Sequence, residues 1–269
     1  MHRGRLGIAL ACAASFCAHD LRAQPVAVRQ TEGAVHGFLT LGSLDGAVIA
    51  EGDLEQSARG SRVTSRLIFR FKDGSRQEET TVFSQTGHFH LISDHLIQKG
   101  TAFKRQMDLT VNGSTGEATA RYSDSDGKEK VESVRLDLPP DVANGMVPVL
   151  LRNLAPGSSL TASMVVAAPK PQLVKLAISP EEEDWFLTGG ERRKATRYLV
   201  KVEVGGVKGA IAPLVGKQPP DTHIWIMSGA APAFLKSEGP SCDGCAVWRT
   251  QLAAPVWPNE VRSSAERKR

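Results

Sequence analysis

The sequence has few of the features that mark common classes of enzyme or binding protein. Aromatic residues make up 6% of the 269 positions, and the net charge is only +4. Without a basic helix or an aromatic-basic platform, this balance argues against nucleic acid as a partner. The sequence also has no Gly-x-Ser-x-Gly nucleophile elbow, no complete phosphate-binding loop and no glutamate-containing zinc motif. A hydrophobic fraction of 41% is too low for a multi-span membrane protein but sufficient for a buried core.

The first 23 residues are typical of a secretory signal peptide. Arg3 and Arg5 form a basic start, residues 6–14 form a short apolar run, and Ala23 is a small residue at a plausible cleavage point. The apolar run is too short to span a bilayer. The sequence therefore predicts export to the periplasm and no transmembrane segment in the mature chain. A buried N-terminal helix and lipid attachment at Cys12 are the alternatives.

Removal of this leader would change the charge and the cysteine content. It takes away three arginines and one aspartate, which leaves 30 basic and 28 acidic residues and a net charge of +2. It also takes away Cys12 and Cys17, so that Cys242 and Cys245 remain in an oxidising compartment.

Hydrophobic alternation dominates the chain and predicts β-strands. In residues 62–72, Val63, Leu67, Phe69 and Phe71 share one face, and the other face is polar. Turn signals such as Asp-Gly and Asn-Gly recur at short spacing, and the helices that parallel strands require are missing. The fold class is thus mainly β, a strongly curved antiparallel sheet forming a half-barrel or barrel-like structure with one interposed helix.

The interposed helix is predicted over residues 142–154, with Asp141 as its N-cap, and would cover the concave face of the sheet. The run 181–184 is acidic and predicts a solvated turn. We expect one β-rich domain over residues 24–257 and a basic flexible tail over residues 258–269.

Several segments resemble an uncharacterised family of secreted bacterial proteins of unknown function. These segments are EETTVFSQ, SDHLIQKG, DLPPDVANGM, APLVGKQPPD and IWIMSGAAPAFLKSEGP, and the similarity covers roughly residues 35–257. The layout is similar to the periplasmic lipoprotein-carrier fold, a half-barrel with a helical lid. The resemblance implies a fold and a compartment, but it assigns no catalytic residues.

Three histidines lie close together in residues 86–100. His88 and His90 point to the same face of a strand, at a spacing that suits two imidazoles on one metal. His95 has the opposite parity, and Asp94 lies about 13 Å from His90 along an extended strand. A third ligand would have to come from elsewhere, so a strand that happens to carry histidines is the main interpretation.

Cys242 and Cys245 flank Asp243-Gly244, which is a hairpin signal. A strand follows them, whereas a redox Cys-x-x-Cys motif is normally followed by a helix. We therefore expect a local disulfide, with free thiols or intermolecular pairing and redox catalysis as the alternatives.

The strand around Trp225 is apolar on both faces, with Ile224 and Ile226 on one and Trp225 and Met227 on the other. We expect Trp225 and Met227 to line the concave side, against either the helix at Met146 and Leu150 or an apolar ligand. The alternative is that Trp225 is simply a core residue.

Together these features predict an exported, non-enzymatic β protein without a cofactor. It would bind an apolar or lipid-like ligand or serve envelope assembly. The alternatives are a metal-dependent hydrolase using His88 and His90, a thiol-disulfide enzyme using Cys242 and Cys245, and a structural envelope module that binds no small ligand. The sequence leaves the oligomeric state open.

Overall fold

The computed structural model describes residues 25–123, 126–167, 170–188, 190–203, 219–242 and 244–253. These residues form one antiparallel sheet of fourteen strands with one short helix, which confirms the predicted fold class. No helix in these ranges has the length and apolarity needed to cross a membrane. The strands are β1 (Val35–Gly42), β2 (Val48–Arg59), β3 (Arg62–Phe71), β4 (Arg76–Thr86), β5 (His88–Lys99), β6 (Met107–Asn112), β7 (Glu117–Ser123), β8 (Glu129–Arg135), β9 (Leu160–Ala167), β10 (Pro171–Thr188), β11 (Glu191–Glu203), β12 (Thr222–Met227), β13 (Ala233–Pro240) and β14 (Val247–Leu252).

The sheet has two meanders joined through its first and last strands. Its order is β8-β7-β6-β5-β4-β3-β2-β1-β14-β13-β12-β11-β10-β9, with all neighbours antiparallel. The sheet curls until β10 contacts β7 and β8. No hydrogen bonding joins the two edge strands, β8 and β9, in the described part of the chain, so the barrel-like sheet is not closed.

The free edge of β9 is covered by residues 141–144, which run beside it. The backbone N–H of Ala143 donates to the carbonyl of Ser163 at 2.8 Å. The side chain of Asn144 bonds both backbone groups of Val165, accepting from its N–H at 2.8 Å and donating to its carbonyl at 2.9 Å. These bonds satisfy backbone groups that an open edge would leave unpaired.

The helix α1 (Val147–Arg152) is shorter than predicted. Gly145 has a φ of 62°, which lies outside helical geometry, so the helix begins only after Met146. Asp141 does not cap it, because its carboxylate instead accepts a hydrogen bond from the Ser163 hydroxyl at 3.1 Å.

Two groups of buried side chains form the core on the inner face of the sheet. The larger group combines α1 with residues from most strands, including Val63, Phe83 and Leu109. The smaller group lies towards the other end of the strands and includes Leu39, Phe69 and Phe103.

The segment before β1 is fixed to α1 and to the sheet. The side-chain oxygen of Asn153, just after α1, accepts the backbone N–H groups of Arg29 and Gln30 at 2.8 and 2.7 Å. The carboxylate of Glu32 accepts from the Arg152 guanidinium at 2.7 Å and from the Gln56 amide at 3.0 Å. These polar groups are largely buried, so their hydrogen bonds are needed to offset lost hydration.

Candidate functional site

A row of four directly paired side chains crosses the inner face of the sheet between the two core groups. Leu54 pairs with Leu67, Leu67 with Glu79, and Glu79 with Leu96. We call these four residues the inner row. All four are only half-buried, although their neighbours Phe69 and Phe83 on the same face are fully buried. An inward-facing side chain that is half-buried must border accessible space, so the inner face is incompletely filled at this row.

Asp94 lies one step along the same face and is held by hydrogen bonds. It is 2% exposed, and its carboxylate accepts the Thr81 hydroxyl at 2.8 Å. The side chain of Asn144 also hydrogen-bonds to it. Asn144 is the residue that covers the edge of β9, so Asp94 connects the inner face of the sheet to this covering segment.

Glu79 and Asp94 form an acid pair on the inner face of the sheet, in which Asp94 is buried and Glu79 is half-buried. Burial raises the pKa of Glu79 to about 8, with a further contribution from the negative charge of Asp94. Burial also raises the pKa of Asp94 to about 6, although the hydrogen bonds from Thr81 and Asn144 act in the opposite direction. At neutral pH, the carboxyl group of Glu79 therefore holds a proton.

The carboxyl group of Glu79 has no hydrogen-bond partner among the described residues, and its cross-strand neighbours are Leu67 and Leu96. A neutral carboxyl group of this kind can donate one hydrogen bond and accept others. The Glu79 carboxyl group offers a polar contact within an otherwise apolar row. The carboxylate of Asp94, in contrast, already accepts hydrogen bonds from Thr81 and Asn144.

The structure does not gather the histidines into a metal site. His88 is exposed, His90 is half-buried, and their ring centroids lie 6.5 Å apart. The Nε2 atom of His95 lies 2.9 Å from a carboxylate oxygen of Asp108. Within the described ranges, no three His, Cys, Asp or Glu side chains are placed to hold one ion.

A bulge in β5 interrupts the alternation of side chains between the two faces that the sequence predicts for this strand. Val82 pairs with Ser93 but Phe83 pairs with Leu91, so Ile92 has no partner on β4. The extra residue moves every later side chain to the other face. Asp94 consequently shares the buried face with Leu91, and His95 lies on the outer face.

Cys242 and Cys245 are joined by a disulfide, with their Cα atoms 5.2 Å apart. They lie in the connection between β13 and β14, and Asp243 itself is outside the described residues. Both sulfur-bearing side chains pack with the smaller core group, which includes Phe103.

The four residues predicted to contact an apolar ligand do not come together. Ile224 and Ile226 join the larger core group with Met146 and Leu150. Trp225 therefore points to the other face of β12, where it is shielded from water and 6% exposed. Its indole N–H donates to Asp184 at 2.5 Å, and the Lys236 ammonium lies 4.0 Å from its ring centroid.

Met146 and Leu150 border a small cavity of about 10 Å³ beside α1, together with Val26, Phe89 and Leu160. A volume of this size holds about one water molecule. Met227 is half-buried and pairs with Ala195 and Ala233.

The acid pair was not identified from the sequence. Gln77, Glu79 and Thr81 alternate with Glu78 and Thr80, so both faces of β4 carry polar residues and the pattern does not show which face is buried. The one signal for a buried acid in the sequence is Asp94, which follows shortly after an apolar stretch. The bulge at Ile92 conceals which face of the strand its side chain lies on.

Comparison with known proteins gives similarity at the level of structure alone. No protein-family model matches the sequence, and no curated protein matches it. A β-barrel-like protein of a domain-of-unknown-function family from Brucella abortus has a TM-score of 0.46 and 11% sequence identity, covering 88% of this chain and 99% of that one. A similarity at this level assigns neither a family nor a function. It does not bear on the lipoprotein carriers.

Proposed function

We propose that this protein is an exported, non-enzymatic binding protein that holds an apolar, lipid-like ligand against the inner row. The observation that carries the proposal is that Leu54, Leu67 and Leu96 face inward but are only half-buried. The three leucines lie in one row across the sheet and are partly accessible, so they supply an apolar contact surface. The N-terminal signal-peptide pattern supports export to the cell envelope.

The position of the inner row separates it from the packed parts of the core. Leu39 and Phe69 are buried on one side of the row, and Val63 and Phe83 are buried on the other. A ligand chain at the row would contact both core groups without displacing either.

The cavity beside α1 is too small to be the ligand site in this conformation. Its volume of about 10 Å³ accommodates about one water molecule, so a ligand could contact Met146 and Leu150 only after α1 had moved. Trp225 and Met227 lie on the other face of their strand and do not belong to the proposed site.

Glu79 would contact the polar end of the ligand. Its carboxyl group lies between Leu67 and Leu96, has no hydrogen-bond partner among the described residues, and has a raised pKa because of its burial. A neutral carboxyl group can donate to a carbonyl or ester oxygen at the end of an apolar chain. This contact would orient the ligand without requiring a buried charge.

The proposal is tested by native mass spectrometry of protein purified from the envelope of its own host. We expect a lipid-like molecule to co-purify with the wild type. Replacement of Leu54 by Trp should fill the space at the inner row and remove the ligand. Replacement of Thr80 by Trp is the matched control, because Thr80 lies beside Glu79 on the outer face of β4 and should leave the ligand in place.

Each outcome has a defined meaning. A wild type without any bound molecule, or a Leu54→Trp variant that keeps its ligand, would contradict the proposal. A bound metal ion in place of a lipid would favour the hydrolase alternative at His88 and His90. An empty protein would favour the structural envelope module.

A further inference from the structure

The hairpin formed by β10 and β11 extends beyond the rest of the sheet. β9 pairs with β10 only as far as Ile178, and β12 pairs with β11 only from Ala195 onward. Beyond these points, residues 185–188 of β10 pair with residues 191–194 of β11, and no third strand of the described chain pairs with them. At the base, the backbone N–H of Ser228 still donates to the carbonyl of Lys194 at 3.0 Å. We call residues 185–188 and 191–194 the arm. A two-stranded ribbon of this kind has little core of its own to stabilise it.

One face of the arm exposes large apolar side chains. Trp185 is 54% exposed and Leu187 is 73% exposed, and they lie two positions apart on the same strand. Trp185 pairs directly with Lys194 and Leu187 with Arg192, so these four side chains share one face. A contiguous pair of exposed apolar side chains on a projecting ribbon is a candidate contact surface.

The same face carries positive charge around the tryptophan ring. The Arg192 guanidinium carbon lies 4.9 Å from the ring centroid of Trp185, and the Lys194 ammonium lies 5.2 Å from it. Lys194 also forms an ion pair with Glu183 at 2.6 Å, whereas Arg192 has no carboxylate partner among the described residues. The face therefore has a net positive charge next to its apolar side chains.

The base of the arm is fixed, which gives the tip a defined direction. Asp184, the last residue before the arm, accepts the indole N–H of Trp225 at 2.5 Å. Arg197 on β11 pairs with Glu181 at 2.8 Å and with Glu182 at 2.5 Å. The Asp184–Trp225 bond connects the hairpin to β12, and the Arg197 ion pairs join its two strands below the arm.

We propose that the arm docks this protein on a membrane surface that contains anionic phospholipids. Tryptophan is favoured at the level of lipid headgroups because its ring is apolar and its N–H is polar. Leu187 would reach the acyl boundary, and Arg192 and Lys194 would contact phosphate groups beside it. This inference goes beyond the interior ligand site, since it concerns the exposed arm and does not depend on the inner row.

The experiment measures binding of the full exported chain to lipid vesicles. One set of vesicles is pure phosphatidylcholine, and the other contains phosphatidylcholine with a minority of phosphatidylglycerol. We expect binding to the anionic set that weakens as salt is added. The variant Trp185→Ser with Leu187→Ser should bind the anionic vesicles about tenfold more weakly or worse. Circular dichroism should show that it remains folded, because the arm lies outside the sheet.

A matched control uses an exposed aromatic elsewhere on the surface. Phe38 on β1 is 57% exposed, so Phe38→Ser removes a similar apolar area and should not change vesicle binding. Brominated lipids supply a second measurement. They should quench the fluorescence of the wild type, and Trp185→Phe should remove most of this quenching.

Three results would overturn the proposal. The wild type could fail to bind anionic vesicles, which would leave a protein partner as the reason for the exposed face. The Trp185→Ser, Leu187→Ser variant could bind as tightly as the wild type. Brominated lipids could quench Trp185→Phe as strongly as the wild type, which would place a different tryptophan at the membrane.

Discussion

The hydroxyl of Thr81 donates a hydrogen bond of 2.8 Å to the carboxylate of Asp94 across the β4–β5 pair. Both side chains are buried on the inner face of the sheet. The backbone at Gly145 lies directly over this bond: a Cβ atom there would come within 1.8 Å of the Thr81 oxygen and 3.2 Å of the Asp94 carboxylate. The segment that covers the edge of β9 thus packs closely against the acid pair, and only glycine permits that approach.

Replacement of Gly145 by Ala should therefore destabilise the protein strongly. The new methyl group would meet Thr81, and the φ of 62° is unfavourable for alanine. We expect a loss of about 3 kcal/mol in the free energy of unfolding, measured by urea denaturation. The matched control is Gly127→Ala, because Gly127 has a φ of 76° but nothing within 4 Å of its Cβ position.

The control should cost about 1 kcal/mol, which is the cost of the conformation alone. Combining Gly145→Ala with Thr81→Ala should recover part of the difference, because the hydroxyl that meets the new methyl group is removed. Equal losses for Gly145→Ala and Gly127→Ala would contradict the close packing.

The acid pair should make stability fall as the pH rises. Burial, with the nearby charge of Asp94, raises the pKa of Glu79 to about 8, whereas an unfolded glutamate has a pKa near 4. The folded state therefore binds this proton more tightly than the unfolded chain does. Its contribution to stability is fully present below about pH 4 and is lost as the pH rises through about 8.

The variant Glu79→Gln should remove this loss. We expect its free energy of unfolding, relative to the wild type, to increase by on the order of 2 kcal/mol between about pH 5 and about pH 9. Glu78→Gln is the matched control on the outer face. Partial burial opposes the shift, but the hydrogen bond and charge of Arg66 lower the pKa of Glu78, so this variant should lose stability near neutral pH. A Glu79→Gln difference that does not change with pH would contradict the assignment.

The strand alternation was sufficient to predict the fold class. In residues 62–72, the pattern correctly placed Val63 and Phe69 on the buried face, because a half-buried strand has a period of two. The helix was predicted too long, since its apolar stripe continues backwards through Val142 and Met146. The left-handed backbone at Gly145 interrupts it there. Val142 and Met146 are still buried, so the apolar pattern predicted correctly which residues are buried. It predicted incorrectly that these two residues belong to the helix.

The candidate site could not be predicted in the same way. The direction of Asp94 depends on the single extra residue at Ile92, and hydrophobic alternation cannot locate such a residue. The acidic run at 181–184 was expected to form a turn, but it lies within β10 because Arg197 pairs with Glu181 and Glu182 across the hairpin. The leader predicted over the first 23 residues and the tail predicted over residues 258–269 lie outside the described residues.

Breaking the ion pair of Glu32 and Arg152 should destabilise the protein strongly, because Glu32 is almost fully buried and would be left as an unpaired charge. Arg152→Met would leave the Glu32 carboxylate buried with only the Gln56 amide beside it. We expect this variant to lose about 3–5 kcal/mol, measured by urea denaturation.

The double variant Arg152→Met, Glu32→Gln should be more stable than Arg152→Met alone, since it no longer buries an unpaired charge. The exposed pair of Arg193 and Glu191 is the control, and Arg193→Gln should cost less than about 1 kcal/mol. A similar small loss for Arg152→Met would show that the N-terminal segment is not held by this pair.

The disulfide of Cys242 and Cys245 should be a local structural bond. Its loop contains only four residues, so in the chain-entropy model its loss costs about 2 kcal/mol. We expect the double variant with alanine at both positions to lose about this amount. The reduced wild type should unfold at about the same urea concentration as this variant.

The thiol-disulfide alternative predicts instead that the wild type accelerates the reduction of insulin by dithiothreitol, because a redox-active pair must exchange with an external disulfide. The motif is followed by the strand β14 and no helix N-terminus lies beside it in the described chain, so it lacks the helix that normally follows a redox Cys-x-x-Cys motif. We therefore expect the wild type and the double alanine variant to give the same rate of insulin reduction, and a faster rate with the wild type would restore the redox interpretation.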